Sequence, residues 1–283
     1  MNTKSFTVRP MTRQDLDTGI EWAAAEGWNP GLYDADSFYA ADTTGFWLGL
    51  LQDEPVGMVS AVKYGRDFGF IGFYMVRPEY RGHGYGLALW NTAVRALQGR
   101  LVGLDGVVAQ QHNYRKSGFS LAYNNVRYQG HSKAAAPHDP SIVPVAALAF
   151  ADLQAYDSAF FPGDRSAFLR SWATQQGSTA LALVQHGQCV GYGVIRPCRS
   201  GFKLGPLFAD SADIADRLLR ALMASIPASS LVQLDVPHVH SAAVALAQSH
   251  GMQPVFETAR MYTGPAPALP LERVFGVTSF ELG

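Results

Sequence analysis

An apolar run from Phe68 to Val76 meets Pro78, and the segment Arg81-Gly82-His83-Gly84-Tyr85-Gly86 then opens a stretch with apolar residues at Leu87, Trp90, Val94 and Leu97. That spacing predicts a strand, a proline turn and an amphipathic helix over Gly84 to Leu97. The first amides of a helix have no intrahelical acceptors and sit at the positive end of its dipole. Glycines at 82, 84 and 86 remove the Cβ atoms that would hold a phosphate or pyrophosphate away from them. Close packing would also explain alternate glycines, but the strand, Pro78, Arg81 and the helix together favour an anion cradle. It is not a dinucleotide fingerprint, whose spacing is G-x-G-x-x-G with an acidic residue about 20 positions on. Nor is it a P-loop, because no Gly-Lys-Ser/Thr follows.

The chain has 283 residues, and at roughly 150 per domain that length suggests two domains. Apolar residues make up 48% and charged residues 16%, enough for sizeable cores. Three prolines between Ser132 and Pro144 exclude a helix or a central strand. A linker is expected over 133–144, dividing the chain into 1–132 and 145–283. The first half reads as strand, helix (with Thr12 and Asp15 as a capping box), two strands around Gln52-Asp53-Glu54-Pro55, then the strand and helix of the cradle, and further strands at Leu101 to Val108 and Phe119 to Tyr128. The second half repeats that order, with strands at Thr179 to Val184, Cys189 to Ile195, Phe202 to Leu207, Leu231 to Val236, Pro254 to Tyr262 and Arg273 to Phe280. Its helices are expected near Asp210 to Ser225 and Ser241 to His250. Gly118 and Gly251 each suit a left-handed cap between a helix and a strand. The halves look like a duplicated α/β (α+β) unit.

The segment from Arg81 to Gly86 resembles the acyl-CoA pyrophosphate loop, (Arg/Gln)-x-x-Gly-x-(Gly/Ala), of the GNAT superfamily of N-acetyltransferases. Met75-Val76 falls where that family's central strand pairs with pantetheine, and Tyr114-Arg115-Lys116-Ser117-Gly118-Phe119 looks like its Tyr-x-x-x-Gly-Phe segment. The resemblance implies tandem GNAT-like folds, each a mixed, mostly antiparallel sheet flanked by helices. It implies acetyl-CoA as co-substrate, held by Met75, Val76, Arg81, Gly82, His83, Gly84, Tyr85 and Gly86. Tyr114 matches the position that protonates the leaving thiolate, and an aromatic packing role is its alternative. Many relatives carry an Asn ahead of this Tyr. Here Val107 to Asn113 has none at that spacing, and Gln110, Gln111 or Asn113 could substitute. The base stays open among Glu21, Glu26, Asp34, His112 and a water chain. Between the first two helices, Trp28, Tyr33 and Asp34 offer apolar walls and a carboxylate for an amine, or else a loop anchored by a buried Trp.

The second half departs from that pattern. Gly205-Pro206-Leu207-Phe208-Ala209-Asp210-Ser211 stands where its cradle should be, and Ala247 where its Tyr should be. A degenerate GNAT-like domain is expected, completing the acceptor site. His238-x-His240 lacks a third ligand nearby, so no metal is expected. A net charge of −1 argues against nucleic-acid binding, no apolar run is long enough to span a membrane, and no signal peptide is evident. Cys189 and Cys198 are expected to be reduced thiols of a cytoplasmic protein. These readings converge on an N-acetyltransferase acting on a primary amine of a small molecule. A non-catalytic acyl-CoA sensor is the alternative, and neither the amine nor the oligomeric state is legible.

Overall fold

The computed structural model describes residues 5–132 and 138–283. The first half contains β1 (Phe6–Pro10), α1 (Arg13–Ala25), α2 (Asp34–Ala41), β2 (Phe46–Leu51), β3 (Glu54–Tyr64), β4 (Phe68–Val76), α3 (Tyr85–Ala96), β5 (Leu101–Val107), α4 (Gln111–Lys116) and β6 (Ser120–His131). The second contains β7 (Ile142–Pro144), α5 (Phe150–Asp157), α6 (Ser166–Ala173), β8 (Thr179–Gln185), β9 (Gln188–Pro197), β10 (Phe202–Ala209), α7 (Ala212–Ala224), β11 (Leu231–Pro237), α8 (Ser241–Ser249), β12 (Gln253–Tyr262) and β13 (Val274–Gly276). The capping box forms as its residues dictate. Thr12 Oγ1 accepts from the Asp15 amide at 3.2 Å, and the Asp15 carboxylate accepts from the Thr12 amide at 2.7 Å. The side-chain hydrogen bonds from Arg9 to Asp15 hold that carboxyl down to about 2.

The sequence reading missed α2, α5 and α6, each eight residues long. Helices this short draw their stability from packing rather than propensity. Phe38 of α2 stacks on Trp172 of α6 at 5.8 Å, so each helix supplies the apolar surface the other needs. Of the expected linker, 133–137 lie outside the described residues, while Ile142–Pro144 pairs with β8 as the last strand of the sheet. An edge tolerates Pro144, which has no amide to donate inward.

A 13-stranded sheet runs β1-β2-β3-β4-β5-β12-β6-β11-β10-β9-β8-β7, with β13 on β10. Most neighbours are antiparallel, while β4–β5 and β10–β11 are parallel. The halves exchange strands β6 and β12. β12 pairs with β5 from Thr258↔Val107 to Tyr262↔Gly103, and β6 pairs with β11 from Leu231↔His131 to Pro237↔Asn125. The exchanged strands then pair with each other. Three buried ion pairs cross between the halves: Asp34–Arg196 at 2.8 Å, Arg127–Asp235 at 2.6 Å and Arg260–Asp105 at 2.6 Å. One apolar cluster likewise draws on both halves, with Phe38, Phe73, Trp172, Tyr192 and Phe208 among its members.

Two outcomes follow from this arrangement. Residues 1–132 expressed alone lack β12 beside β5 and leave β6 without β11, so they should aggregate or remain unfolded by circular dichroism. Co-expression with 138–283 should restore a soluble pair, and a well-folded monomeric fragment would contradict the exchange. Asp34→Ala leaves Arg196 as an uncompensated buried charge, and chemical denaturation should show a loss of about 3–5 kcal/mol.

Candidate active site

The parallel pairing of β4 with β5 stops at Ile71↔Leu104, and the two strands then separate. A bulge turns β4 at that point, because Met58↔Met75 is followed by Ser60↔Gly72. Phe73 occupies the bulge at φ 44°, an uncommon left-handed conformation for a bulky residue. Gly72 donates its amide to Ser60 Oγ at 3.0 Å. A Cβ on Gly72 would lie 1.9 Å from the carbonyl oxygen of Glu281, so the C-terminal segment rests directly on the point of separation. The gap between the strands opens into a cavity of about 480 Å³.

One end of the cavity is the glycine-rich loop. Gly82 and Gly84 adopt φ 80° and 85°, and a Cβ at either would meet nothing within 4 Å. Gly84 caps α3 without a side-chain hydrogen bond, and among the described residues the amides of 82–87 have no acceptor. Free amides at a helix N-terminus are the geometry that suits an anion. Gly86 has a different cause, since its Cβ would lie 2.9 Å from the Tyr74 hydroxyl. It is small so that α3 can approach β4.

Arg81 makes contacts of the bracing kind within the loop. Its Nε donates to the Val76 carbonyl at 2.8 Å, and its Nη2 pairs with Glu26 at the end of α1. It braces the loop, although it still borders the cavity. His83 is exposed and turns its Nδ1 toward the Arg81 carbonyl, while Tyr85 stacks on Phe6 at 4.7 Å. His83, Gly84 and Tyr85 shape the loop and do not line the cavity, whereas Met75, Val76, Gly82 and Gly86 do.

Tyr114 lies where the loop end meets the gap. It is 8% exposed, packs on Trp90 at 5.5 Å, and lines the cavity. Gly106 makes room for it, because a Cβ there would sit 2.2 Å from the ring. Burial pushes the phenol up to about 12. Trp90 is itself held by a 3.0 Å bond from its Nε1 to Ser117 Oγ. Of the three residues that could replace the missing Asn, only Gln110 lines the cavity, with its Oε1 accepting from Asn113 at 2.7 Å.

The remaining wall includes Glu26, beside Arg81, together with Trp28, Arg127, Phe256, Thr258, Phe280 and Glu281. Trp28 lines the cavity and is half-buried, and its carbonyl accepts from Arg127 at 2.9 Å and Lys203 at 3.2 Å. Asp34 needs correcting. It is fully buried outside the cavity, accepting from Arg196 and from the Gly31 amide at 2.8 Å, because it is the partner of a buried cation. Tyr33 likewise stands outside, at the start of α2. Glu21 is exposed beside Arg199, and His112 is exposed and outside the cavity lining. Sequence reasoning missed Asp105, Arg127, Phe256, Thr258, Phe280 and Glu281. Several arrive through the exchanged strands or the C-terminal segment, and no local pattern marks them.

The corresponding gap in the second half is filled. The parallel pairing of β10 and β11 ends at Leu204↔Leu234, and β13 then pairs with β10 while the Val277 amide donates to the Asp235 carbonyl at 2.8 Å. At the start of α7, Ser211 Oγ accepts from the Ile214 amide, so that helix has an ordinary cap instead of a cradle. No cluster of three or more metal-ligating side chains occurs among the described residues, and His240 Nδ1 sits 3.0 Å from the Val274 carbonyl. Both cysteines are free, and no described helix is long and apolar enough to cross a membrane.

Comparison with known proteins agrees with this architecture. Residues 13–119 match the acetyltransferase (GNAT) family, and residues 153–276 match an acetyltransferase (GNAT) domain. A holothin acyltransferase of Pseudoalteromonas sp. is 31% identical over 280 residues, covering 99% of this chain and 95% of the relative. The uncharacterized N-acetyltransferase YitH of Bacillus subtilis is 28% identical over 60% of this chain and 61% of its own length. Among solved structures, a candidate acetyltransferase from Pyrococcus horikoshii superposes with a TM-score of 0.83 at 21% identity, covering 100% of this chain and 98% of that one. A tandem GNAT protein from the clavulanic acid biosynthesis pathway gives 0.63 at 14% identity, covering 93% and 100%. At these identities the two structures speak for the fold.

Gly84→Glu would send a carboxylate into the open space before the free amides. CoA affinity measured by calorimetry should fall more than tenfold, about 1.4 kcal/mol. Gly84→Asn tolerates the left-handed backbone without the charge and should retain more of it.

Proposed function

The chain belongs to the GNAT superfamily of acyltransferases, with one GNAT domain in each half, and from that premise we propose that it transfers an acetyl group from acetyl-CoA to a primary amine of a small molecule. The observation that carries this reading is the sharing of one cavity by the loop, Tyr114 and a wall from the second half. The residues suit acyl-CoA. Free amides at the start of α3 would hold the pyrophosphate, and the edge of β4 at Met75 and Val76 would hold the pantetheine arm. When bound, acyl-CoA supplies a carbonyl carbon open to attack and a sulfur able to leave with the bonding electrons.

The protein's own contribution is placement. The loop and the β4 edge fix one reactant while the aromatic wall of Trp28, Phe256 and Phe280 confines the other, which removes much of the entropic barrier. Tyr114 would donate a hydrogen bond to the departing sulfur. With its phenol raised to about 12, it keeps its proton at neutral pH. An ordinary thiol lies near 8.5, about 3.5 lower, so complete transfer from Tyr114 would be uphill. It serves best as a donor in the transition state, while the proton released by the amine balances the thiolate.

The reading is tested by thiol release from acetyl-CoA in the presence of a panel of small amines. Holothin is included because a relative is named for acting on it. Amine-dependent release is expected, and its absence with every acceptor and acyl donor would overturn the proposal. Tyr114→Phe should lower kcat by about 10²–10⁴ while CoA affinity stays largely unchanged. In the wild-type enzyme, ionisation of Tyr114 removes the donor as pH rises. Its raised value puts that loss near pH 12, and a decline centred at about 10, the ordinary phenol value, would mean the buried setting does not persist in the working enzyme.

A further inference from the structure

We infer that Glu281 and Thr258 form the polar subsite for the acceptor, which accordingly is an amine that is cationic in solution and carries an apolar body. This rests on the acetyltransferase reading above. Glu281 is 4% exposed and Thr258 2% exposed, and both line the cavity. Glu281 Oε2 and Thr258 Oγ1 are buried without a hydrogen-bond partner among the described residues. A buried carboxylate and a buried hydroxyl left unpaired are each unfavourable, and natural proteins rarely keep them without a use.

The neighbouring cations Arg127, Arg196 and Lys203 all feel the charge of Glu281, and Arg196 Nη1 has no hydrogen-bond partner among the described residues, but the bonds they make go to other acceptors. Arg127 donates through Nε and Nη2 to Asp235, Arg196 donates to Asp34, and Lys203 Nζ donates to the Trp28 carbonyl. Arg127 is further covered by the Phe280 ring at 4.9 Å. Among the described residues Glu281 takes part in no ion pair, Arg127 and Arg196 being paired with Asp235 and Asp34. The backbone around Glu281 is clamped, since Tyr64 donates to the Leu282 carbonyl at 3.0 Å and the Leu282 amide donates to Ser279 Oγ at 3.2 Å. Its carbonyl oxygen lies against Gly72, where β4 leaves β5. The backbone of Glu281 is thus held at the root of the gap, next in sequence to Phe280, and both residues line the cavity. An ammonium group there would satisfy Glu281 on arrival and would release one proton to solvent before its nitrogen attacks, while Trp28, Phe256 and Phe280 would accept the apolar remainder.

The experiment compares Glu281→Gln and Thr258→Val with the wild-type enzyme, using acetyl-CoA and an amine that the wild type acetylates. Glu281→Gln keeps the shape and removes the charge. Its kcat/KM for the amine should fall by at least about tenfold, the scale of one charge-assisted hydrogen bond, with the KM for acetyl-CoA unchanged. Thr258→Val should raise the amine KM while Tm stays level or rises, because it deletes an unpaired buried hydroxyl. A protein that is no less stable and binds its amine less well is an outcome a merely structural role would not give. The wild type should also favour an amine charged at the assay pH over a weakly basic one of the same shape, and Glu281→Gln should lose that preference. Wild-type amine kinetics in both variants would overturn the subsite while leaving the acetyltransferase reading intact. If Glu281→Gln fails to fold, the amine KM of Thr258→Val decides. Absence of any amine acetylation by the wild type would instead defeat the functional reading itself.

Discussion

The pairing of β6 with β12 is the constraint on which the rest of the molecule depends. These strands lie side by side in mid-sheet, each bonded on its far edge to a strand of the opposite half. Backbone hydrogen bonding therefore runs continuously through the join, and neither half closes its sheet alone. Three buried ion pairs cross it as well, and a buried pair is sensitive to losing either member. The seam fixes the positions of Arg127, Asp105, Thr258 and Arg260 to within hydrogen-bond tolerances. Such precision at a cavity wall is what rigid scaffold elements supply better than loops.

The two halves show how one topology yields different sites. Both central strands part from their parallel neighbours after three or four paired residues. At both partings a glycine faces a carbonyl of the C-terminal segment: Gly205 beneath Val277 and Thr278, and Gly72 beneath Glu281. The segment fills the gap in the second half and then only borders the gap in the first. The difference between a packed core and a cavity lies in the path of about ten residues at the end of the chain, together with the loss of the glycine loop.

Much of this was legible in the sequence where signals are local. The glycine-rich loop, the capping box of Thr12 and Asp15, the helices α7 and α8, and the duplicated order of elements follow from periodicity and turn chemistry. Signals that depend on distant partners were not. Asp34 reads as a loop carboxylate until Arg196, 162 positions away, is brought against it. Gly86 and Gly106 carry no mark distinguishing a phosphate approach from room for Tyr74 and Tyr114. Glu281 looks like a terminal surface residue, and only the route of the tail makes it buried. Strand exchange is likewise invisible to pattern reasoning, because β6 and β12 have the same alternation whichever sheet receives them.

The strand β13 has one more consequence. It occupies the crevice of the second half as a tethered peptide, hydrogen-bonded to β10 and, through Val277, to β11. A tethered occupant is present at a high effective concentration, so a free competitor would have to displace backbone ladder bonds that re-form as fast as they open. The crevice that is open in the first half is thus occupied in the second by the chain's own backbone.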